Sequence, residues 1–537
     1  LKIVLLLATA SASAQPPERI VHNARVFTAD SGRPWAEAFA VREGRIVAVG
    51  SSREIRALAG PGTEQVDLDG AFVSPGFGDS HIHFMGGSLT LNAVLLDGLK
   101  DVPQIQARIA AYAKANPGAA WITGRGWNYA AFPGNLPQRR WLDEVVPDRP
   151  AFMQAYDGHT GWANSRALAL AGITRETKDP ANGVIVRDAS GEATGALKEA
   201  AQRLVRQLIP PPGDEEKYRA LKAGLDLAAS YGLTFAHNAG FDLADLPIYE
   251  RVMKEGGLKI RFYNALPFRA NPDAGTLNRY KELRARYASP LFRFGAVKAL
   301  ADGVVESKTA WMLEPFADGG GTGIPNYSEA ELKEGVAAFD REGFQLFIHA
   351  IGDRAIRTTL DSFENAARVN GTAGRRHRVE HIEVPQLADI DRFKKLGVIA
   401  STQALFANPD ENTLGAYAGA IGPARAARAM AFKAIDDAGA IQAFGSDWPV
   451  FSMEVLKGIY CAVSRETPAG TPKGGWQPHS RLSAEAALRH FTADGAYAGF
   501  AENDFGRIAP GLFADFVVLS SDITKGDPKE ILDTRVL

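Results

Sequence analysis

The chain has 537 residues, 46% of them hydrophobic and 23% charged, with a formal net charge of −2 at neutral pH. This is the composition of a globular protein, and so even a charge balance gives no electrostatic drive toward nucleic acid or an anionic membrane surface. A single cysteine, Cys461, excludes an intrachain disulfide and a cysteine-built zinc cluster, so any metal must be held by histidine, carboxylate or a modified lysine.

Residues 1–14 carry one lysine, a short apolar run and Ala12-Ser13-Ala14, which reads as a cleaved secretory signal too short to span a bilayer. An exported protein, periplasmic or secreted, is expected, with the mature chain starting at Gln15. Apolar runs at 20–28, 38–41 and 45–50, split by Gly, Asp and Asn, predict short strands, and 511–519 is again strand-like. Both ends are therefore expected to build one small composite β-domain, a sandwich from residues 15–73 and 501–537. Across 74–500, strands predicted at 233–237, 260–266, 294–299, 345–349, 378–381, 398–402 and 440–446 alternate with helices such as 332–341, 354–369 and 384–396. That alternation means βα units and a parallel sheet, and so an α/β fold of the (β/α)8 barrel type. Residues around 101–210 depart from the pattern, carry Trp121, Trp127, Trp141 and Trp162, and read as an insertion near the pocket mouth.

The chemistry concentrates at strand ends. In Pro75-Gly76-Phe77-Gly78-Asp79-Ser80-His81-Ile82-His83, two histidines spaced i, i+2 on extended backbone face one side and can grip one metal ion. His349, His381 and Asp447 each close a predicted strand, on the face where barrels place their chemistry. Lys298 lies in an apolar strand, where a cation is costly unless paired or chemically altered. Lys198 and Lys308 are rivals, but neither ends an apolar strand. His237 is expected to pack or hydrogen-bond locally. Trp127, Tyr129, Phe132, Trp162 and Trp311 either wall the pocket or fill the core of the insertion.

The order His81-x-His83, Lys298, His349, His381, Asp447 resembles the amidohydrolase superfamily. The words Ala301-Asp302-Gly303, His349-Ala350-Ile351-Gly352-Asp353, Val379-Glu380-His381 and Gly445-Ser446-Asp447-Trp448-Pro449 resemble its amidohydrolase-3 branch, which includes N-substituted formamide deformylase. So do Asp157-Gly158-His159-Thr160-Gly161-Trp162 and Gly506-Arg507-Ile508-Ala509-Pro510-Gly511. The resemblance implies one or two divalent ions, usually zinc: His81 and His83 with Asp447 on the first, His349 and His381 on the second. Lys298, carboxylated by CO2 to a carbamate, would bridge them, and Asp447 would shuttle the proton. His159 is a candidate for oxyanion stabilisation, substrate binding or insertion packing. Trp127, His159, Asp302 and Trp311 are the candidate substrate-binding side chains.

The implied activity is hydrolysis of a non-peptide C–N bond in a small amide, formamide or cyclic amide. An esterase or isomerase could use the same ligands, and an exported binding protein without turnover is the rival of another class. A small-molecule substrate, no nucleic acid and no stable membrane association are expected, and a homodimer is compatible with the sequence. Relatives carry a further strand after the segment resembling 531–537, so the chain is expected to be cut short there.

Overall fold

Eight parallel strands form the central sheet: β1 (Phe77–Ile82), β2 (Leu233–Asn238), β3 (Arg261–Pro267), β4 (Phe292–Leu300), β5 (Gln345–Ala350), β6 (Arg378–His381), β7 (Ile399–Gln403) and β8 (Gln442–Gly445). Each pairs with the next in chain order, so the seven strands predicted from 233 onward are the seven that follow β1. This computed structural model describes residues 15–91 and 93–537; the expected signal segment, 1–14, lies outside the described residues.

The sheet closes where the Asp447 N–H, just past β8, donates to the His81 carbonyl on β1 at 2.7 Å. A Cβ at Gly445 would lie 2.4 Å from the His81 nitrogen, so only glycine lets first and last strands approach this closely. Helices cover the outside. Glu329–Arg341, between β4 and β5, begins at a Ser328–Glu331 capping box and buries Leu332, Val336 and Phe339 on one face. Asp353–Asn370 follows β5 and ends at Gly371 in the left-handed region. No helix among the described residues is long and apolar enough to cross a membrane.

Between β1 and β2 the chain leaves the barrel to build a six-stranded mixed sheet. Its order is Gly183–Arg187, Ala193–Glu199, Thr160–Ala163, Ala151–Ala155, Ile122–Trp127, Val94–Leu95. The sheet thus reaches back before residue 101, because Val94–Leu95 pairs with the Ile122–Trp127 strand. Its core is aromatic: Phe132 packs edge-on against Trp127 and Trp162, with ring centres 5.3 and 5.2 Å away.

Two four-stranded sheets at the chain ends form the β-sandwich. Phe516–Leu519 pairs antiparallel with Phe72–Pro75, which pairs in turn with Arg25–Phe27. Phe516 packs its ring 5.0 Å from that of Phe39 in the facing sheet, so residues from both chain ends share one core. Val536 makes a single antiparallel bridge to Leu519 at the sheet edge.

Candidate metal centre and pocket

Parallel registry delivers the ligand candidates to one end of the barrel. His349 on β5 lies beside Glu380 on β6, and Ala350 beside His381. In a regular strand Glu380 and His381 would face opposite sides of the sheet. Here both reach His81: Glu380 Oε2 lies 2.5 Å from its Nδ1, and the His381 ring centre 4.8 Å from its own. The backbone makes this possible by turning left-handed at His381 (φ 76°) and Ile382 (φ 57°), and Asp447 does the same at φ 57°. Such conformations cost about 1–3 kcal/mol each in non-glycine residues and persist where surrounding structure imposes them.

Ligand atoms of His81, His381 and Asp447 all lie within 4.8 Å of one another, and all three residues are buried. Asp447 Oδ1 sits 3.4 Å from His81 Nε2 and 3.2 Å from His83 Nε2, yet it is buried without a hydrogen-bond partner. Lys298 Nζ is 3.0 Å from His81 Nε2, and the His349 ring centre is 4.5 Å from that of His381. The structure therefore gathers all six sequence candidates. Lys198 is engaged elsewhere, donating to the Ser307 carbonyl at 2.8 Å, and Lys308 pairs with Asp318 at 3.0 Å.

A polar shell fixes the imidazoles. His81 Nδ1–H donates to Glu380, which leaves the Nε2 lone pair facing Lys298 Nζ and Asp447, the arrangement that orients histidine ligands in metal sites. Glu380 is itself held by two bonds from the fully buried Arg378, at 2.8 and 2.9 Å. Arg378 also bonds Ser401 Oγ at 2.7 Å and His237 Nδ1 at 2.9 Å, so His237 braces the shell. Asp79 accepts from the Ser446 N–H, the Ser446 hydroxyl and the His81 N–H, clamping the ends of β1 and β8 together. His349 donates Nε2–H to the Gly303 carbonyl at 3.1 Å.

Burial drives His81, His349 and His381 well below the ordinary imidazole range, with neighbouring Lys298 acting in the same direction on each. Neutral imidazoles with fixed tautomers are what a divalent ion takes as ligands. Burial acts to raise Asp447, but His81, His83 and Lys298 overcome it and hold the carboxyl at about 2. Burial brings Lys298 down to about 8, against the pull of Glu380 and Asp447. Two converging nitrogens and an orphaned carboxylate oxygen fit a divalent ion with N/O preference.

Above this floor lies a pocket lined by Tyr156, Asp157, His159, Glu306, Glu383 and Phe406, among others. His159 Nδ1 bonds Glu199 at 2.9 Å, and its ring stands 5.3 Å from that of His349. Burial opposes its charge, but Glu199 outweighs burial and raises His159 to about 9. Burial pushes Glu306 and Glu383 upward, as does the charge of nearby carboxylates.

Three sequence candidates take other places. Trp127 is fully buried in the insertion core, its indole N–H given to the Met153 carbonyl at 3.2 Å, so it does not line the pocket. Asp302, also fully buried, accepts from the main-chain N–H groups of Trp311, Ile351 and Gly352, holding two loops behind His349. Trp311 belongs to one of those loops and packs under Arg354. The aromatic wall is instead Tyr156, Phe406, Tyr417 and Phe451. Glu199, Glu306, Glu380, Glu383 and Arg378 escaped the sequence reading, although Glu380 and Glu383 flank His381 closely enough to have raised the question.

A barrel with buried histidines and an aspartate gathered at the C-terminal ends of its strands belongs to the class that carries metal-assisted chemistry there. Residues 64–537 match the model of the amidohydrolase family. The chain belongs to that family. It is 33% identical over 520 residues to the protein LONG AFTER FAR-RED 3 of Arabidopsis thaliana, covering 94% of this chain and 87% of that protein. It is 29% identical over 548 residues to N-substituted formamide deformylase of Arthrobacter pascens, covering 97% of each. A crystal structure of an uncharacterized metal-dependent hydrolase from Pyrococcus horikoshii shares the fold at TM-score 0.74 and 23% identity, over 95% of this chain and 99% of that one.

Proposed function

We propose that the protein is a metal-dependent hydrolase cleaving a non-peptide C–N bond in a small amide, formamide or cyclic amide. The observation that carries this reading is the orphaned Asp447 Oδ1 facing two histidine nitrogens at 3.2 and 3.4 Å, a buried gap that a divalent cation satisfies. Similarity to a formamide deformylase over nearly the whole chain supports the bond type.

His81, His83 and Asp447 would hold one ion, and His349 and His381 a second. Zinc is the preferred occupant, and when bound it acidifies water toward about neutral pH and polarises a carbonyl. The residues do the rest. Asp447, ionised at all working pH, accepts the proton of the attacking water and returns it to the leaving nitrogen. His159, kept protonated by Glu199, donates from its other ring nitrogen to the carbonyl oxygen as negative charge develops there. Lys298, lowered to about 8, keeps a reactive share of neutral amine. Its neutral amine would add to CO2 with loss of one proton, giving a carbamate whose oxygens could serve as ligands in place of a buried cation. Export to the periplasm or medium is part of the proposal and rests on residues 1–14.

Elemental analysis of protein purified without chelators tests it, followed by turnover of a formamide and cyclic-amide panel. About two zinc equivalents per chain support the bridged centre, and about one moves Lys298 to a supporting role. No metal, and none regained with zinc and bicarbonate, sinks the mechanism.

A further inference from the structure

The pocket wall opposite the histidines is acidic, and nothing in the hydrolytic chemistry uses it. Asp157, Glu306 and Glu383 come from three separate segments: the insertion, the loop after β4 and the loop after β6. Among the described residues, no lysine or arginine lines the same pocket. Each carboxylate keeps an oxygen uncommitted. The hydrogen bonds of Glu306, from Tyr156 at 2.5 Å and Asn412 at 3.1 Å, both end on Oε1. Asp157 Oδ1 accepts from the His159 N–H, while Oδ2 is buried with no partner.

Glu383 is the most telling of the three. It is only 5% exposed, and its hydrogen bonds, from Met430 N–H at 2.8 Å and Tyr417 O–H at 3.5 Å, end on its main-chain carbonyl. Its side chain lines the cavity beside the Tyr417 hydroxyl. Buried carboxylates are costly to ionise and three sharing one cavity repel one another; the cationic side chain beside them, His159, is committed to Glu199 at 2.9 Å, so the wall is complementary to a further cation that donates several hydrogen bonds.

Aromatic rings frame the same space. Phe406 stacks on His381 with a 7° interplanar angle, and Phe451 lies 5.2 Å from Phe406 and 5.8 Å from Tyr156, ring centre to ring centre. Ring faces beside a cationic nitrogen add attraction of their own. A second cleft adjoins the pocket and shares Tyr156, Thr413, Val450 and Phe451 with it.

We infer that Asp157, Glu306 and Glu383 form a cation-recognition subsite, and that the substrate carries a protonated amine on the side away from the scissile bond. Its identity as substrate rests on the hydrolase reading; the subsite itself does not.

The test is therefore a binding measurement separate from turnover. Benzylammonium chloride and benzyl alcohol, similar in shape and different in charge, are titrated calorimetrically into the zinc-loaded protein at low salt. The ammonium compound should bind at least about ten-fold more tightly, with the preference cut several-fold by Glu383→Gln and again by Asp157→Asn. Circular dichroism confirms that each variant is folded, and Glu306→Gln replaces either one that is not. Equal binding of the two probes, or a preference untouched by all three substitutions, overturns the subsite. Two N-formylbenzylamines that differ only in a distal aminomethyl or hydroxymethyl group on the ring are then presented as substrates. Turnover of neither, with the ammonium preference intact, counts against the hydrolase reading and leaves the subsite standing.

Discussion

The floor of the pocket and its wall are built in different ways. The floor consists of side chains at the ends of β1, β4, β5, β6 and β8, where parallel hydrogen-bond ladders fix every position. The wall comes from the insertion and from loops, and its charged groups meet across gaps in the chain: His159 and Glu199 are brought together because Thr160 pairs with Lys198 in an antiparallel ladder. The floor holds neutral imidazoles and one strongly acidic carboxyl, whereas the wall holds a raised histidine and raised glutamates. A site can thus separate its fixed catalytic geometry from the part that adapts to a substrate.

Substitutions can break that contrast. The largest effect is expected at Asp447: Asp447→Asn should lower kcat by about 10²–10⁴ while the protein keeps at least one ion, checked by steady-state kinetics with metal analysis. Unchanged turnover would remove proton transfer from the floor. Arg378→Leu should destabilise the fold by about 3–5 kcal/mol in urea unfolding, because it leaves Glu380 buried and unpaired. Loss of metal without loss of stability would instead make the Arg378–Glu380 pair a device for orienting His81.

A wall prediction is read in the pH profile. With His159 raised to about 9, its protonated form prevails below that pH and is lost above it, so kcat/KM should fall as pH rises through about 9. Glu199→Gln removes the group that raises it, and the basic limb should move to lower pH. An unmoved limb would assign the titration to another group. The smallest effect is expected deep in the insertion, where Trp127→Phe should cost about 1 kcal/mol of stability and leave KM unaltered.

The same division decided what could be read from the sequence. Lys298, His349, His381 and Asp447 were legible because each sits at or near the end of a strand marked by its own apolar run, and His81 and His83 because of their i, i+2 spacing; strand order puts such ends together. Trp127 was not, since whether an aromatic ring lines a pocket or fills a core depends on neighbours such as Phe132 and Trp162 that only the folded sheet supplies. Asp302 stands in a recognisable word, but its three main-chain donors show that the word encodes loop geometry behind His349. Glu306 had no spacing to announce it, and the nearness of Glu383 to His381 did not reveal its relation to Glu306, which exists only across the cavity.

The strand Phe72–Pro75 lies between Arg25–Phe27 and Phe516–Leu519, and one residue later the chain enters β1, which leads to His81 and His83. On the ribosome this segment emerges early, yet the neighbour on its far side is made hundreds of residues afterwards. Vectorial synthesis therefore leaves an open β-edge next to the candidate ligand histidines until the barrel has been translated and residues 516–519 can pair with it.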